Sequence, residues 1–197
     1  MSIVSGQWST VNGGGRRAVF LDRDGVINEN RADYVRSWAD VEFLPGVFPA
    51  LERLAASDLA IVVITNQSPV GRGILTMEEM NAINDALVAR IRSEGGRIDA
   101  VYACPHRPED DCTCRKPRPG MLLQAAKDMD IDLGASFLVG DAVTDIEAGL
   151  RAGCRPVMVR TGRGESQLVQ LRAAGYELVP VADDLAGAVT WIFDSER

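Results

Sequence analysis

Two aspartates, Asp22 and Asp24, stand two positions apart, directly after the apolar run 18–21 and just before Gly25. The apolar run is typical of a short strand buried on both faces, and the glycine permits a turn after it. Side chains at positions i and i+2 of an extended chain point to the same side, so the two carboxylates should face one spot. Such carboxylates repel each other unless a cation lies between them, and Mg²⁺ prefers oxygen ligands. The pattern predicts a magnesium site, with an Asx turn that caps the strand as the alternative.

Three further residues, Thr65, Lys116 and Asp141, carry groups that suit phosphoryl transfer. An ionised carboxylate needs no base to act as a nucleophile, so Asp22 could attack phosphorus while Asp24 gives a proton to the leaving oxygen. The Thr65 hydroxyl and the Lys116 ammonium would neutralise the phosphoryl oxygens. Asp141 would add a carboxylate for the metal, with a helix N-cap as its alternative role. Together these residues predict phosphate-ester hydrolysis through an aspartyl-phosphate.

Strands and helices that alternate along the chain must position these groups. Apolar stretches predict strands at 18–21, 59–64, 98–103, 136–139 and 156–159. Helix-spaced apolar residues predict helices at 47–55, 121–129, 143–152, 168–174 and 185–193. A capping box, Thr76 with Glu79, predicts the start of another helix, which should stop at Gly95. The expected α/β fold is an open, mainly parallel sheet with helices on both faces, and its ligands should bind at the carboxyl ends of the strands.

Most of the cysteines lie in one short segment with the single histidine of the chain. The members of this cluster are Cys104, His106, Cys112 and Cys114. Four soft ligands at this spacing predict a tetrahedral zinc site, with disulfides as the lesser alternative. Because no coordination position stays open, we expect a structural ion that staples the loop 104–114, which leads into Arg115 and Lys116. A cysteine-dependent phosphatase using Cys112 and Arg118 is a rival that the neighbouring prolines and cysteines disfavour.

Size and charge limit the classes of function that fit this chain. Its 197 residues, 46% of them hydrophobic, are enough for one domain with a full core. The formal net charge of −7 argues against nucleic acid or an anionic membrane as the main partner. No apolar run approaches the length of a membrane span, and residues 1–15 lack the layout of a signal peptide. We expect a flexible tail over 1–15, a single domain over 16–197 and a cytoplasmic monomer.

The motifs resemble those of the haloacid dehalogenase (HAD) superfamily of phosphatases. They stand here as Asp22-Arg23-Asp24-Gly25-Val26, Ile64-Thr65-Asn66-Gln67, Arg115-Lys116-Pro117 and Gly140-Asp141, with Asp145 nearby. The closer match is to the D-glycero-D-manno-heptose 1,7-bisphosphate 7-phosphatases, and histidinol phosphatases are similar. Ile27-Asn28, Ser68, the cysteine cluster and the continuation Arg118-Pro119-Gly120-Met121 carry this closer resemblance.

The resemblance implies a role for each matching position. Asp22 would be the nucleophile and Asp24 the acid/base, and Thr65 and Lys116 would hold the phosphoryl group. Mg²⁺ would bind Asp22, the backbone carbonyl of Asp24, and Asp141. The residues expected to contact substrate are Asn30, Arg31, Ala32, Asp33, Asn66, Gln67, Ser68 and Arg115. The family also implies the absence of a large cap domain and hydrolysis of the C7 phosphate of the heptose bisphosphate.

Two departures leave alternatives open. The loop 107–111 is short, as in histidinol phosphatases, and Ala142 stands where heptose enzymes often carry a lysine. Histidinol phosphate or another small sugar phosphate is therefore the alternative substrate. A non-enzymatic receiver-type module is the remaining alternative, because it too becomes phosphorylated on an aspartate. In such a module, however, the phosphorylated aspartate would follow a central strand rather than the first one.

Overall fold

The computed structural model describes residues 15–195, and the predicted tail 1–15 lies outside this range except for Gly15. The strands are β1 Ala18–Leu21, β2 Ala60–Asn66, β3 Ala100–Cys104, β4 Phe137–Gly140, β5 Arg155–Val159 and β6 Val181–Ala182. They form one sheet in the order β3-β2-β1-β4-β5-β6, and each neighbouring pair is parallel. The open parallel sheet predicted from the sequence is confirmed.

Helices cover both faces of this sheet. They are α1 Val47–Ala55, α2 Ser68–Gly71, α3 Met77–Ser93, α4 Gly120–Met129, α5 Val143–Ala152, α6 Gly164–Ala173 and α7 Leu185–Asp194. The alternation of side chains along β1 sends Val19 and Leu21 into a core shared with α1, α3 and α7, and Ala18 and Phe20 into a second core with α4 and α5. Burial on both faces explains why the central strands are apolar throughout.

The strand order creates a crevice at the carboxyl end of β1. From β1 the chain runs to β2 and β3 on one side, then returns to β4 on the other side of β1. Connections that leave in opposite directions open a space between β1 and β4, where ligands of such folds bind. Asp22 follows β1 and Asp141 follows β4, so both lie at this crevice. Within residues 15–195, no helix is both long enough and apolar enough to cross a membrane.

The predicted elements agree closely with the observed ones. Each of the five predicted strands is present with ends moved by at most two residues, and the bounds of α1 and α5 match. The capping box at the start of α3 is confirmed, since Glu79 N–H donates to Thr76 Oγ1 at 3.1 Å and Thr76 N–H donates to Glu79 Oε2 at 2.8 Å. The two-residue strand β6 and the four-residue helix α2 were not predicted, because such short elements have no measurable periodicity.

Candidate active site

Three buried carboxylates meet at the carboxyl edge of the sheet. Asp22, Asp141 and Asp145 each place an oxygen within 4.8 Å of the others. The Asp22 N–H donates to Val139 O at 3.0 Å, which continues the β1–β4 pairing and fixes this position. The carboxylate of Asp24 does not join the group, contrary to the expectation that it would face the same spot as that of Asp22. The i, i+2 rule applies only to extended chain, and β1 ends at Leu21.

Lys116 supplies a buried cation between two of these carboxylates. Its Nζ lies 2.9 Å from Asp22 Oδ1 and 2.7 Å from Asp145 Oδ1, and it donates to Ile64 O at 3.0 Å. The Lys116 side chain is only 2% exposed. An ammonium removed from water this completely requires charged partners, and the two aspartates provide them.

Burial dominates the electrostatics of the cluster. Burial raises the pKa of Asp22 to about 8, and the negative charges of Asp145 and Asp141 act in the same direction, against the lowering by Lys116. Burial alone would lower the pKa of Lys116, but Asp145 and Asp22 outweigh it, so the pKa of Lys116 is raised. Ionisation of all three carboxylates therefore calls for more positive charge than the Lys116 ammonium and the Arg163 guanidinium, which lies 3.1 Å from Asp141 Oδ1, supply together. A divalent cation would supply it, and three carboxylate oxygens are a donor set that suits Mg²⁺.

Asp141 is held by the chain around it. Arg163 donates to it through its backbone N–H at 2.8 Å and through Nη2 at 3.1 Å. A Cβ atom at Gly25 or Gly162 would lie 2.1 or 2.4 Å from Asp141 Oδ2, so neither position has room for a side chain. The glycine at position 25 also has φ +93°, a conformation that other residues rarely adopt. The two glycines thus let two loops close around one carboxylate.

The Asp24 carboxylate accepts hydrogen bonds from three side chains. Arg23 donates through Nε to Oδ1 at 3.1 Å and through Nη2 to Oδ2 at 3.0 Å. Asn28 Nδ2 donates to Oδ1 at 2.8 Å, and Gln67 Nε2 donates to Oδ2 at 2.9 Å. Gln67 Nε2 also lies 2.8 Å from Thr65 Oγ1, which links the ends of β1 and β2. Asp24 therefore faces polar neighbours that differ from those of Asp22.

A cavity of about 460 Å³ opens over these groups. The predicted site residues along it are Asp22, Asp24, Asn30, Arg31, Thr65, Asn66, Gln67, Ser68, Arg115 and Lys116. Ala32 and Asp33 do not line it, and both are exposed. Its basic side chains are Arg31, Arg72, Arg115, Lys116 and Arg163. In a chain of net charge −7, this local group of cations favours an anionic ligand.

The cysteine cluster forms a compact group beside this cavity. Cys114 Sγ lies 3.2 Å from Cys104 Sγ, 3.5 Å from Cys112 Sγ and 3.3 Å from His106 Nδ1. Sulfur ligands of tetrahedral zinc, at about 2.3 Å from the ion, are separated by roughly 3.8 Å, so the spacing is close to that of a zinc site. All four cysteines are free thiols, contrary to the disulfide alternative. Burial raises the pKa of Cys104 and of Cys114, so zinc binding would release protons from these thiols.

The segment after the cluster is tied to the end of β2. Arg115 Nη1 donates to Ser68 Oγ at 2.8 Å and to His106 O at 3.1 Å. The Lys116 N–H donates to Asn66 Oδ1, and Asn66 Nδ2 donates to Lys116 O, both at 3.1 Å. Asn66 thus holds the backbone on both sides of the buried lysine side chain, and the cysteine cluster holds the segment that precedes it.

Comparisons with known proteins assign the chain to a family. A HAD-hydrolase-like family model matches residues 113–188. The D-glycero-beta-D-manno-heptose-1,7-bisphosphate 7-phosphatase of Bordetella bronchiseptica is 41% identical over 78% of this chain and 86% of its own length. The enzyme of that name from Pseudomonas aeruginosa is 35% identical over 89% of this chain and 97% of its own length. This chain belongs to the D-glycero-beta-D-manno-heptose-1,7-bisphosphate 7-phosphatase family. The family resemblance stated from the motifs is confirmed.

A crystal structure of a family member contains magnesium, the metal that the carboxylate cluster is predicted to bind. The D,D-heptose 1,7-bisphosphate phosphatase of B. bronchiseptica, solved with magnesium and phosphate, superposes with a TM-score of 0.85 at 38% identity, covering 91% of this chain and 99% of that one. A family member from Burkholderia thailandensis has a TM-score of 0.68 at 32% identity, covering 90% and 99%. The predicted cofactors agree with this magnesium complex and with the donor sets found here.

Three features of this family member were not predicted as part of the site. Arg163 reaches Asp141, and the glycines beside it, Gly162 and Gly164, were the available signal for a tight loop. Asp145 joins the carboxylate cluster, where the sequence had placed it only near the fourth motif. Arg23, inside the first motif, is buried and contacts Asp24, a role that its position in the sequence does not reveal.

Proposed function

We propose that this chain is a phosphomonoester hydrolase that removes the C7 phosphate of D-glycero-D-manno-heptose 1,7-bisphosphate. The proposal is supported by the family of the chain and by a cation-lined cavity of a size that suits a small phosphorylated sugar. One observation carries it: a buried aspartate, Asp22, lies along this cavity beside a buried ammonium, Lys116 Nζ, at 2.9 Å.

The proposed reaction uses two aspartates in separate roles. Asp22 attacks phosphorus, the bond to the sugar oxygen breaks, and an aspartyl-phosphate forms on Asp22. Asp24 gives a proton to the departing C7 oxygen and then takes one from the water that attacks the aspartyl-phosphate. Asp22 is regenerated and inorganic phosphate leaves. The two carboxylates have separate surroundings, because Asp22 contacts Lys116 whereas Asp24 accepts hydrogen bonds from amide and guanidinium donors.

Charge on the transferred phosphoryl group is neutralised by groups already in place. Lys116, held by Asp145 and by Ile64 O, presents a fixed positive charge. The Thr65 hydroxyl lies along the same cavity at the end of β2. Asp22, Asp141 and the backbone carbonyl of Asp24 would hold Mg²⁺, which supplies Lewis-acid stabilisation of the phosphoryl oxygens when bound.

The sugar end of the substrate is proposed to contact the outer part of the cavity. Asn30, Arg31 and Arg115 line it, and the two arginines supply positive charge toward which a second phosphate would be attracted. The cysteine cluster acts at a distance: its structural Zn²⁺ would hold the loop that precedes Arg115 and Lys116. Ala32 and Asp33 do not line the cavity, so their contact with the substrate stays a prediction.

The substrate is tested by comparing kcat/KM for the α and β anomers of heptose 1,7-bisphosphate with that for histidinol phosphate. We expect the bisphosphate to be preferred and its product to retain the C1 phosphate, which ³¹P NMR detects as one remaining ester signal. Asp58→Asn, at an exposed position, is the control and should behave as the wild type. A preference for histidinol phosphate, or loss of the C1 phosphate first, would overturn the assignment.

The remaining expectations belong to the same proposal. We propose a single catalytic domain over residues 16–197 that acts as a monomer in the cytoplasm and uses neither nucleic acid nor membrane as a partner. The free thiols, arranged for metal rather than for disulfides, support a reducing compartment. Size-exclusion chromatography with light scattering tests the oligomeric state, and a dimer mass would contradict it.

A further inference from the structure

Arg23 is a buried charged side chain to which the proposed mechanism assigns no role. Among residues 15–195 it is the largest of the fully buried side chains, and the residue is 1% exposed. Removing a guanidinium from water is costly unless its donors and its charge are matched. The partners of Arg23 therefore indicate what its burial accomplishes.

The guanidinium joins Asp24 to a helix outside the motifs. Its Nε and Nη2 donate to the two carboxylate oxygens of Asp24 at 3.1 and 3.0 Å, a fork that matches the planar carboxylate. Its Nη1 donates to Asn84 Oδ1 at 2.8 Å. Asn84 lies in the interior of α3 and is 5% exposed. An asparagine buried in a helix is unusual, and this contact accounts for it.

The other two donors to Asp24 differ from Arg23 because each has a second acceptor close by. Asn28 Nδ2 also donates to Glu29 O at 3.0 Å, and Gln67 Nε2 also donates to Thr65 Oγ1 at 2.8 Å. Either amide can turn from Asp24 and keep a hydrogen bond. Arg23 cannot, because its third contact, to Asn84, fixes the plane of the fork.

We propose that Arg23, anchored by Asn84 on α3, is the positioning residue that aims the Asp24 carboxyl group at the leaving oxygen. The inference rests on the proposed function, in which Asp24 is the acid/base. Asn84 acts two contacts away from the reacting atoms, through Arg23 and then Asp24. Loss of the anchor leaves Asp22, Lys116 and the metal ligands in place but lets Asp24 rotate. The defect should then appear only in the steps that need a proton moved.

The proton transfer to the leaving oxygen can be isolated by comparing aryl phosphates whose leaving groups differ in basicity. The phenolate of phenyl phosphate needs a proton as it departs, whereas that of 2,4-dinitrophenyl phosphate does not. Because general acid–base catalysis typically contributes about 10²- to 10⁴-fold, we expect Asn84→Ala to lower kcat/KM for phenyl phosphate by roughly 10- to 100-fold. For 2,4-dinitrophenyl phosphate the loss should stay within about 3-fold, because the chemical step no longer needs the acid. Asp24→Asn removes the acid altogether, so the gap between its losses in kcat/KM on the two aryl phosphates is the largest gap that mispositioning of Asp24 can produce.

Three variants separate positioning from general damage to α3. Asn84→Asp keeps an oxygen acceptor for Arg23 and should restore most of the activity on phenyl phosphate. Leu87→Ala, in the apolar core on the same helix, should lower the melting temperature and affect both substrates equally. Arg23→Lys keeps the charge but loses the fork, so it should show the same selective loss as Asn84→Ala.

The second half of the reaction gives an independent signal. When Asp24 is poorly placed to take a proton from water, Asn84→Ala should accumulate the phosphorylated enzyme and release a burst of dinitrophenol close to one equivalent of enzyme. Equal losses on both aryl phosphates, with no burst, would overturn the inference while leaving the phosphatase assignment intact. A wild-type protein that hydrolyses neither these esters nor heptose 1,7-bisphosphate would overturn the proposed function, and the inference with it.

Discussion

The two candidate metal sites are built in opposite ways. The carboxylate cluster gathers its members from distant parts of the chain: Asp22 and Asp141 directly follow β1 and β4, Asp145 lies in α5, and Lys116 lies in the segment before α4. The cysteine cluster takes all its members from 104–114, in and after the end of β3. The first buries its charges almost completely, whereas three members of the second are partly exposed.

The difference shows what each site depends on. The oxygen cluster exists only when β1 and β4 lie side by side, so the fold itself creates it, and its own ammonium already balances part of the charge. The sulfur cluster depends on local spacing and on an ion that suits soft ligands. We therefore expect changes at the first site to abolish chemistry, and changes at the second to loosen a loop and reduce chemistry indirectly.

Asp22→Asn should have the largest effect. The amide oxygen is a poor nucleophile, so turnover of any phosphate ester should fall by roughly 10⁴-fold or more. Phosphate release in the steady state measures this, with zinc content and far-UV circular dichroism confirming an intact fold. Residual activity within tenfold of the wild type would mean that another group attacks phosphorus.

Lys116→Met should cost the most stability. It removes the ammonium that lies between two buried carboxylates, and breaking a buried ion pair from one side costs about 3–5 kcal/mol. Urea unfolding without Mg²⁺ measures the loss. Arg118→Met is the matched control beside the cysteine cluster, because its partner Asp111 is 84% exposed and loss of such an exposed ion pair should leave the free energy of unfolding nearly unchanged. Equal losses in the two variants would remove the distinction between the sites.

Cys112→Ser tests whether bound zinc holds the loop 104–114 in place. One thiolate ligand is lost, so zinc should dissociate and the melting temperature should fall by about 5–10 °C, which for a chain of this size corresponds to roughly 2–3 kcal/mol. Activity should fall in parallel while Mg²⁺ binding persists. Cys154→Ala, a buried cysteine outside the cluster, should retain zinc. An unchanged melting temperature in a sample shown to be free of zinc would contradict the staple.

The effect of pH on the metal-free protein should be the smallest. The pKa of Asp22 is raised from 3.8 to about 8, so the folded protein binds this proton more tightly than the unfolded chain. The stabilisation is complete at low pH and is lost as the pH rises toward 8. The pKa of Lys116, raised from 10.5, lies above this window. The gain in melting temperature on adding Mg²⁺ should therefore be larger at pH 8 than at pH 6, and Asp22→Asn should flatten the difference.

Much of both sites follows from the sequence, for different reasons. The spacing of Cys104, His106, Cys112 and Cys114 alone predicts their convergence, because loop closure over so few residues leaves little freedom. Asp22 and Asp141 follow apolar runs, and parallel strands bring their carboxyl ends to one edge. In both cases a periodic or local pattern is enough.

The unpredicted contacts depend on side chains whose partners lie on other elements. Arg23 Nη1 reaches Asn84 across the fold at 2.8 Å. The helical spacing of Asn84 from Met80 and Leu87 places it on the buried face of α3, but that spacing does not say which group it meets there. Arg163 reaches Asp141 only because Gly25 and Gly162 let two loops close together. The i, i+2 argument misplaced the Asp24 carboxylate because the strand ends just before the motif. Tertiary packing decides these positions.

The central claim is that the Asp22 carboxylate itself becomes phosphorylated. Wild-type enzyme mixed with substrate and Mg²⁺, quenched in acid within one turnover and reduced with borohydride, converts a phosphorylated aspartate into homoserine, which peptide mass spectrometry locates. The account predicts homoserine at position 22 and none at position 24. Homoserine at another aspartate, or its absence from a sample that has released alcohol product but not yet phosphate, would contradict it.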